Sequence, residues 1–262
     1  MALPFDDTPF ADWLGTVERD LDPAAKMLHF IREEIPDAMA VDPFQLDAIT
    51  SVSPTVAMVV ARQAGKSCVL AAKGVMALER GETVICLAPA ERQTREITRK
   101  VQAYLRATDL VIERGTQTEI EVNTGGRFIA VPASGATIRG YSADLLLVDE
   151  CAYIPNDEET IVALLPMLKD AGQVIYASTP AGKKNFFANL FLEPKDDVHR
   201  IKVRGTDIPR LAKRVERLRS QLSATRFRQE VECEFLSDGM SYFDLSAIEQ
   251  ATSQESAVCP KL

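Results

Sequence analysis

The sequence predicts an α/β fold with a mostly parallel central sheet flanked by helices. Four short, near-continuous apolar runs carry that prediction: "VAMVVA" at residues 56–61, "TVICLA" at 83–88, "LLLVDE" at 145–150 and "QVIYAS" at 173–178. Amphipathic, helix-like stretches separate them, and none of the four alternates cleanly between apolar and polar residues. Strands covered by helices on both faces read this way, because neither face meets water.

The elements follow in order. With 262 residues, 46% hydrophobic and 26% charged, the chain is long enough for one large core with an attached subdomain. Residues 1–42 read as an N-terminal extension. Proline and acidic residues punctuate it, and the spacing of Ala24, Leu28 and Ile31 supports one short helix over 23–34. Residues 43–205 are expected to form the core. Within it, the 56–61 strand leads through a turn to a helix that starts at Lys66 and runs to Arg80, where Gly81 caps it. Between the second and third apolar runs, "EIEVNTGGRFIAVPA" places a turn at residues 123–126, which predicts a hairpin and makes the sheet mixed. Beyond Thr206 the strand pattern fades. Residues 209–235 read as helical, with Asp207 near the start and Gly239 past the end, which suggests a small helical lid over 206–250. Residues 251–262 read as a flexible tail or the start of a linker.

Composition narrows the function. A net charge of -8 and a pI near 5.0 argue against a surface uniformly attractive to nucleic acid, so any such contact is local. The apolar runs fall far short of the ~20 residues a membrane span needs, and no secretion signal is legible, so a cytosolic setting is expected. The five cysteines, Cys68, Cys86, Cys151, Cys233 and Cys259, form no C-x-x-C pair, and His29 and His199 are the only histidines. Reduced, buried thiols are expected.

"VVARQAGKSCVL", residues 59–70, carries the chemistry. It contains the Gly65-Lys66-Ser67 triplet of a phosphate-binding loop, although Val60 stands where the usual pattern has its first glycine. A turn from a buried strand into a helix start suits that loop. Backbone N–H groups and the helix dipole attract phosphate oxygens, Lys66 adds a point charge, and Ser67 offers a hydroxyl to Mg2+. Gly65, where backbone must approach phosphate, is retained. The alternative is an ordinary helix start. Against it stands the strand ending Asp149-Glu150, two carboxylates at the edge where open α/β sheets bind ligands. Asp149 would hold the magnesium through water and Glu150 would take a proton from the attacking water. Ser178 and Thr179, before Pro180 at the end of the 173–178 strand, would sense the terminal phosphate.

Taken together, these residues resemble the ATPase domain of the large terminase subunit of tailed bacteriophages. The resemblance spans residues 43–235 and rests on an ordered set. It comprises the glycine-poor loop Arg62-Gln63-Ala64-Gly65-Lys66-Ser67, leading into Cys68, and an upstream "DPFQLDAI" with Phe44 and Gln45. It continues with "ATIRGYSADLLLVDE", the triplet Ser178-Thr179-Pro180 and a closing "RFRQEVECEF". The resemblance implies a P-loop NTPase of the additional-strand type that binds ATP and Mg2+. It also implies duplex DNA, the portal and procapsid, and the small terminase subunit as partners, with action in the cytoplasm of the infected bacterium. It implies a homo-oligomeric ring, a pentamer in the family, and no membrane partner. Phe44 and Gln45 would contact adenine, and Arg62 would contact the γ-phosphate or else brace a neighbouring carboxylate. Arg139, between Gly135 and Gly140, would act as an arginine finger on the next subunit or else pair with a residue such as Asp144. No sequence after Phe243 matches the nuclease domain that usually follows, so an isolated motor domain or a fragment without DNA cleavage is expected.

DNA contacts are harder to place. Arg92, Arg95 and Arg99 share a helical face, and Lys213, Arg214, Arg217 and Arg219 crowd the expected lid helix. Solvated faces or subunit contacts are the competing reading. Two other functions remain open at this point: a helicase-like ATPase that remodels nucleic acid, and a nucleotide-binding assembly switch with little turnover.

Overall fold

In the computed structural model the described residues are 42–106, 108–133, 140–193 and 196–237. The first element among the described residues is α1 (Pro43–Thr50). β1 (Thr55–Val60) then leads through a loop into α2 (Lys66–Glu79), followed by β2 (Thr83–Ala88) and α3 (Glu91–Leu105). Three short strands come next: β3 (Ile112–Gly115), β4 (Glu119–Val122) and β5 (Arg127–Pro132). β6 (Ala143–Asp149) passes through a short 3-10 turn to α4 (Asp157–Leu164). β7 (Leu168–Ser178), α5 (Phe186–Leu192) and β8 (Val198–Val203) follow. Two 3-10 turns then lead to α6 (Ala212–Gln221) and α7 (Ala224–Glu230).

The eight strands form one sheet in the order β3-β4-β5-β2-β6-β7-β1-β8. Six are parallel, from β5 across to β8, and β3 and β4 add an antiparallel edge. The sheet is therefore mixed, as the 123–126 turn predicts, and Gly125 makes that turn with φ of 81°. Parallel strands alternate their side chains between two packed layers. Val56, Met58 and Val60 join Leu145 and Leu147 in a core under α1, α2, α3, α6 and α7. Val59, Leu146, Val148 and Tyr176 join Phe187 and Ile161 in a second core under α4 and α5. Each aliphatic side chain fully buried in these layers is worth about 1.5–3 kcal/mol of transfer free energy.

α2 starts and stops where local chemistry dictates. Gly65 at its N-cap has φ of 102°, the left-handed region that glycine enters without strain. At the other end Gly81 has φ of 74°, and a Cβ there would meet the Thr124 carbonyl oxygen at 2.9 Å. The buried Lys73 ammonium donates to the carbonyls of Ile49 and Ser51 at 2.7 and 2.8 Å, tying α2 to the end of α1.

Three elements differ from the sequence expectation. β3, "IERG", and β8, "VHRIKV", are edge strands whose charged residues hide the strand signal; such charges protect sheet edges from unwanted pairing. The expected helix over 209–235 is two helices. The chain breaks at Leu222–Ser223, where the Ser223 hydroxyl accepts from the Arg226 N–H and starts a new helix, and α7 ends at Glu230. The expected N-terminal helix over 23–34, the tail 251–262 and Arg139 lie outside the described residues.

Candidate nucleotide site

The loop from Val60 to Ser67 leaves the carboxyl end of β1 and turns tightly into α2. Gln63 and Gly65 both take positive φ, 61° and 102°. For Gln63 this is a strained conformation of the kind that collects at ligand sites. The first N–H groups of α2 lack intrahelical acceptors and point out of its start. Beside them, Arg62, Gln63, Gly65, Lys66, Ser67, Cys68 and Glu150 line one cavity of about 530 Å³.

Lys66 is only 7% exposed. Its ammonium lies 3.4 Å from the Val60 carbonyl oxygen and 3.5 Å from Glu150 Oε1. Asp149, also 7% exposed, sits behind Glu150 at the end of β6. Burial pushes the Asp149 carboxyl up to about 6, the Glu150 charge adds to the rise, and Lys66 partly offsets both. The Glu150 N–H donates to Asp149 Oδ1 at 3.0 Å, and Glu150 itself has φ of 47°. A bulky residue held in the left-handed region costs of order 1–3 kcal/mol and persists only where its surroundings enforce it.

Ser178 is part of that enforcement. Its hydroxyl accepts from the Ala152 N–H at 3.2 Å and donates to Glu150 Oε2 at 3.4 Å. Register explains the meeting: Asp149 pairs with Ala177 on β7, and Val59 of β1 pairs with Ser178. The Thr179 hydroxyl donates to Tyr153 Oη at 3.2 Å, so it faces the turn after β6.

The upstream residues stand apart from this cavity's lining. Phe44 is buried in the main core. Gln45 is buried too, and its Oε1 accepts from the Asp42 N–H at 3.0 Å at the start of α1. Ala64, within the loop, is fully buried. Arg62 pairs with Glu230 at the end of α7, which is the bracing contact rather than an open cation. Asp144 is occupied by the Lys169 ammonium, 2.8 and 2.9 Å from its two oxygens, and by the Thr83 N–H.

Several site residues escape sequence reasoning. Arg210 binds Asp42 and donates to the Ala64 carbonyl at 2.8 Å, linking the segment before α6, the loop and the start of α1. Lys100 of α3 and Arg214 of α6 line the cavity. None belongs to a motif; the charge run that contains Arg214 was the only available signal. The other basic residues considered for DNA have protein partners in part: Arg92 pairs with Glu96, Arg95 with Glu91, and Arg219 lies 4.4 Å above the Phe227 ring.

A phosphate-type loop after β1 that faces paired acids at the end of β6, with β7 inserted between those strands, defines a P-loop NTPase of the additional-strand type. Over residues 57–250 the chain matches the family described as terminase large subunit, T4likevirus-type, N-terminal, and it belongs to that family. Among solved structures it is similar to the large terminase ATPase domain of Thermus phage P74-26. That likeness has 21% identity and a TM-score of 0.66, covering 75% of this chain and 94% of that one. The large terminase of the thermophilic bacteriophage D6E in complex with ADP is 16% identical with a TM-score of 0.65, covering 74% of this chain and 53% of that one. A tRNA(Met) cytidine acetyltransferase TmcA from Haloferax volcanii is 30% identical over 160 residues; the chain spans 20% of the length of this curated relative.

Proposed function

We propose that this chain hydrolyses ATP with Mg2+ to drive duplex DNA into a viral procapsid, as the ATPase motor of a terminase large subunit. The observation that carries the reading is the approach of Lys66 to Glu150 at 3.5 Å across the site cavity. Family membership supplies the biological setting. In this reading 43–205 is the ATPase core and 206–250 its helical lid.

The donor set fits magnesium. Asp149 is a buried carboxylate whose charge is opposed by burial and by Glu150, so a cation would relieve it. Magnesium commonly takes one or two protein carboxylates and completes its shell with phosphates and water. Ser67 and Asp149 would hold it. When bound, Mg2+ neutralises charge on the β- and γ-phosphates.

The chain's own groups supply the rest. The Gly65 turn and the start of α2 bind the phosphates, and Lys66 fixes their position by charge. Glu150, oriented by Ser178 and by its own strained backbone, accepts a proton from the attacking water. Gln63, Ala64 and Cys68 complete the loop, and Phe44 and Gln45 provide the adenine side. Arg62 reaches the γ-phosphate once it releases Glu230, and Ser178 and Thr179 pass loss of that phosphate to the turn around Tyr153. Arg139 acts on the neighbouring subunit of a ring assembled on the portal, with the small terminase subunit as a further partner in the host cytoplasm.

Steady-state hydrolysis by Glu150→Ala tests this. Retained ATP binding with turnover lost, and wild-type turnover stimulated by duplex DNA and portal, are the expected results; unchanged turnover in the variant overturns the role of Glu150. Strand separation on a forked duplex would instead favour a helicase-like enzyme.

A further inference from the structure

Two of the cations that line the cavity are already engaged by protein groups. Lys66 is shared with Glu150, and Arg62 is paired with Glu230. Arg214 differs. Its Nε is buried with no hydrogen-bond partner, and Arg214 has no ion pair among the described residues. A buried guanidinium N–H without a partner is costly to keep, and a small shift of this side chain toward the cavity it lines would let a ligand complete it.

Its position says which ligand. Arg214 lines the 530 Å³ cavity together with Lys66, Ser67 and Glu150. It also lines, with Arg62 and Glu230, an adjoining mostly apolar cavity of about 370 Å³ beneath α6 and α7. Arg214 thus shares its cavities with Arg62 and Glu150, toward which a polyphosphate held on the Gly65 turn would extend. The Asp42–Gln45 side is occupied by Arg210, which anchors the chain just before α6 to the Ala64 carbonyl. A guanidinium also presents a planar fork that matches two phosphate oxygens at once.

We propose that Arg214 reads the terminal phosphate of the bound nucleotide from α6 of the same chain, so that ATP engages this helix and ADP does not. The inference rests on the nucleotide-site reading above and names a contact which that reading does not require.

Equilibrium binding of ATPγS and of ADP, each with Mg2+, tests it in wild type, Arg214→Ala, Arg214→Lys and Lys66→Ala. Loss of a charge-assisted contact predicts about ten- to a hundred-fold weaker ATPγS binding by Arg214→Ala. ADP binding should stay within about two-fold, since ADP makes no such contact, and Arg214→Lys should recover part of the loss. Equal weakening for both nucleotides, or none, overturns the proposal. Arg214→Gln keeps the apolar stem and replaces the alanine variant if that one melts early. Failure of the wider reading looks different: wild type would bind neither nucleotide, or Lys66→Ala would bind both normally.

Discussion

The Lys66 ammonium and Glu150 Oε1 lie 3.5 Å apart although the strands that lead to them, β1 and β6, are separated by β7. The contact passes over the carboxyl end of the inserted strand, whose last residue, Ser178, donates to the other oxygen of the same carboxylate at 3.4 Å. Such a crevice at the carboxyl ends of parallel strands is where open α/β sheets bind ligands.

Replacing Lys66 with alanine should weaken both ADP and ATPγS by about ten- to a hundred-fold, the loss expected for a charge-assisted phosphate contact. Titration with a fluorescent nucleotide analogue checks this. Affinity unchanged for both would remove the loop from the site.

Asp149 should make the apo protein less stable at neutral pH. Its folded-state value of about 6 lies above the ordinary 3.8, so the folded state holds the proton more tightly. Stability therefore falls as pH rises from about 4 to 6 and stays reduced above that window. Asp149→Asn, neutral throughout, should gain on the order of 1–3 kcal/mol at pH 7.5 and almost nothing at pH 4. Melting curves at the two pH values decide it; a gain of equal size at both would assign the effect to packing.

Arg62 and Glu230 form an exposed-to-half-buried pair, with Arg62 60% exposed, so breaking it should cost at most about 1 kcal/mol. Glu230→Gln should leave folding nearly unchanged and strengthen ATPγS binding a few-fold, since Arg62 no longer has to exchange partners. Weaker binding in the variant would show that Glu230 supports the loop in its binding form instead.

Cys68 gives a label-based check. It is half-buried and lines the cavity, whereas Cys86, Cys151 and Cys233 are buried. Alkylation followed by peptide mass spectrometry should modify Cys68 ahead of those three, and Mg-ATPγS should slow it. Equal rates with and without nucleotide would place the ligand elsewhere.

Arg139 is tested by mixing. Arg139→Ala subunits combined with Glu150→Ala subunits should regain some hydrolysis if the arginine acts across a subunit interface, because each interface type supplies what the other lacks. Absence of rescue in demonstrably assembled mixtures would confine Arg139 to its own chain.

The four buried strands, the helix from Lys66, the hairpin at 123–126 and the loop-plus-acids pattern were legible in the sequence because each rests on local chemistry. Continuous apolar runs report burial on two faces, and Gly65, Gly81 and Gly125 report backbone conformations that other residues resist. β3 and β8 escaped because edge strands carry charges and lose the apolar signature. The 209–235 segment looked like one helix because its periodicity continues past Ser223, while the break is made by a single hydroxyl cap.

By itself the sequence determined the class of fold, the type of turn and the residues able to do chemistry, all set by neighbours a few positions apart. Only the tertiary structure decided that β7 enters between β1 and β6, that Glu230 holds Arg62, that Arg210 ties Asp42 to the loop, and that Arg214 lines the cavity with its Nε buried and unmatched. Those contacts join residues far apart in the chain. Their geometry is fixed by strand order and helix packing, which no local pattern of side chains encodes.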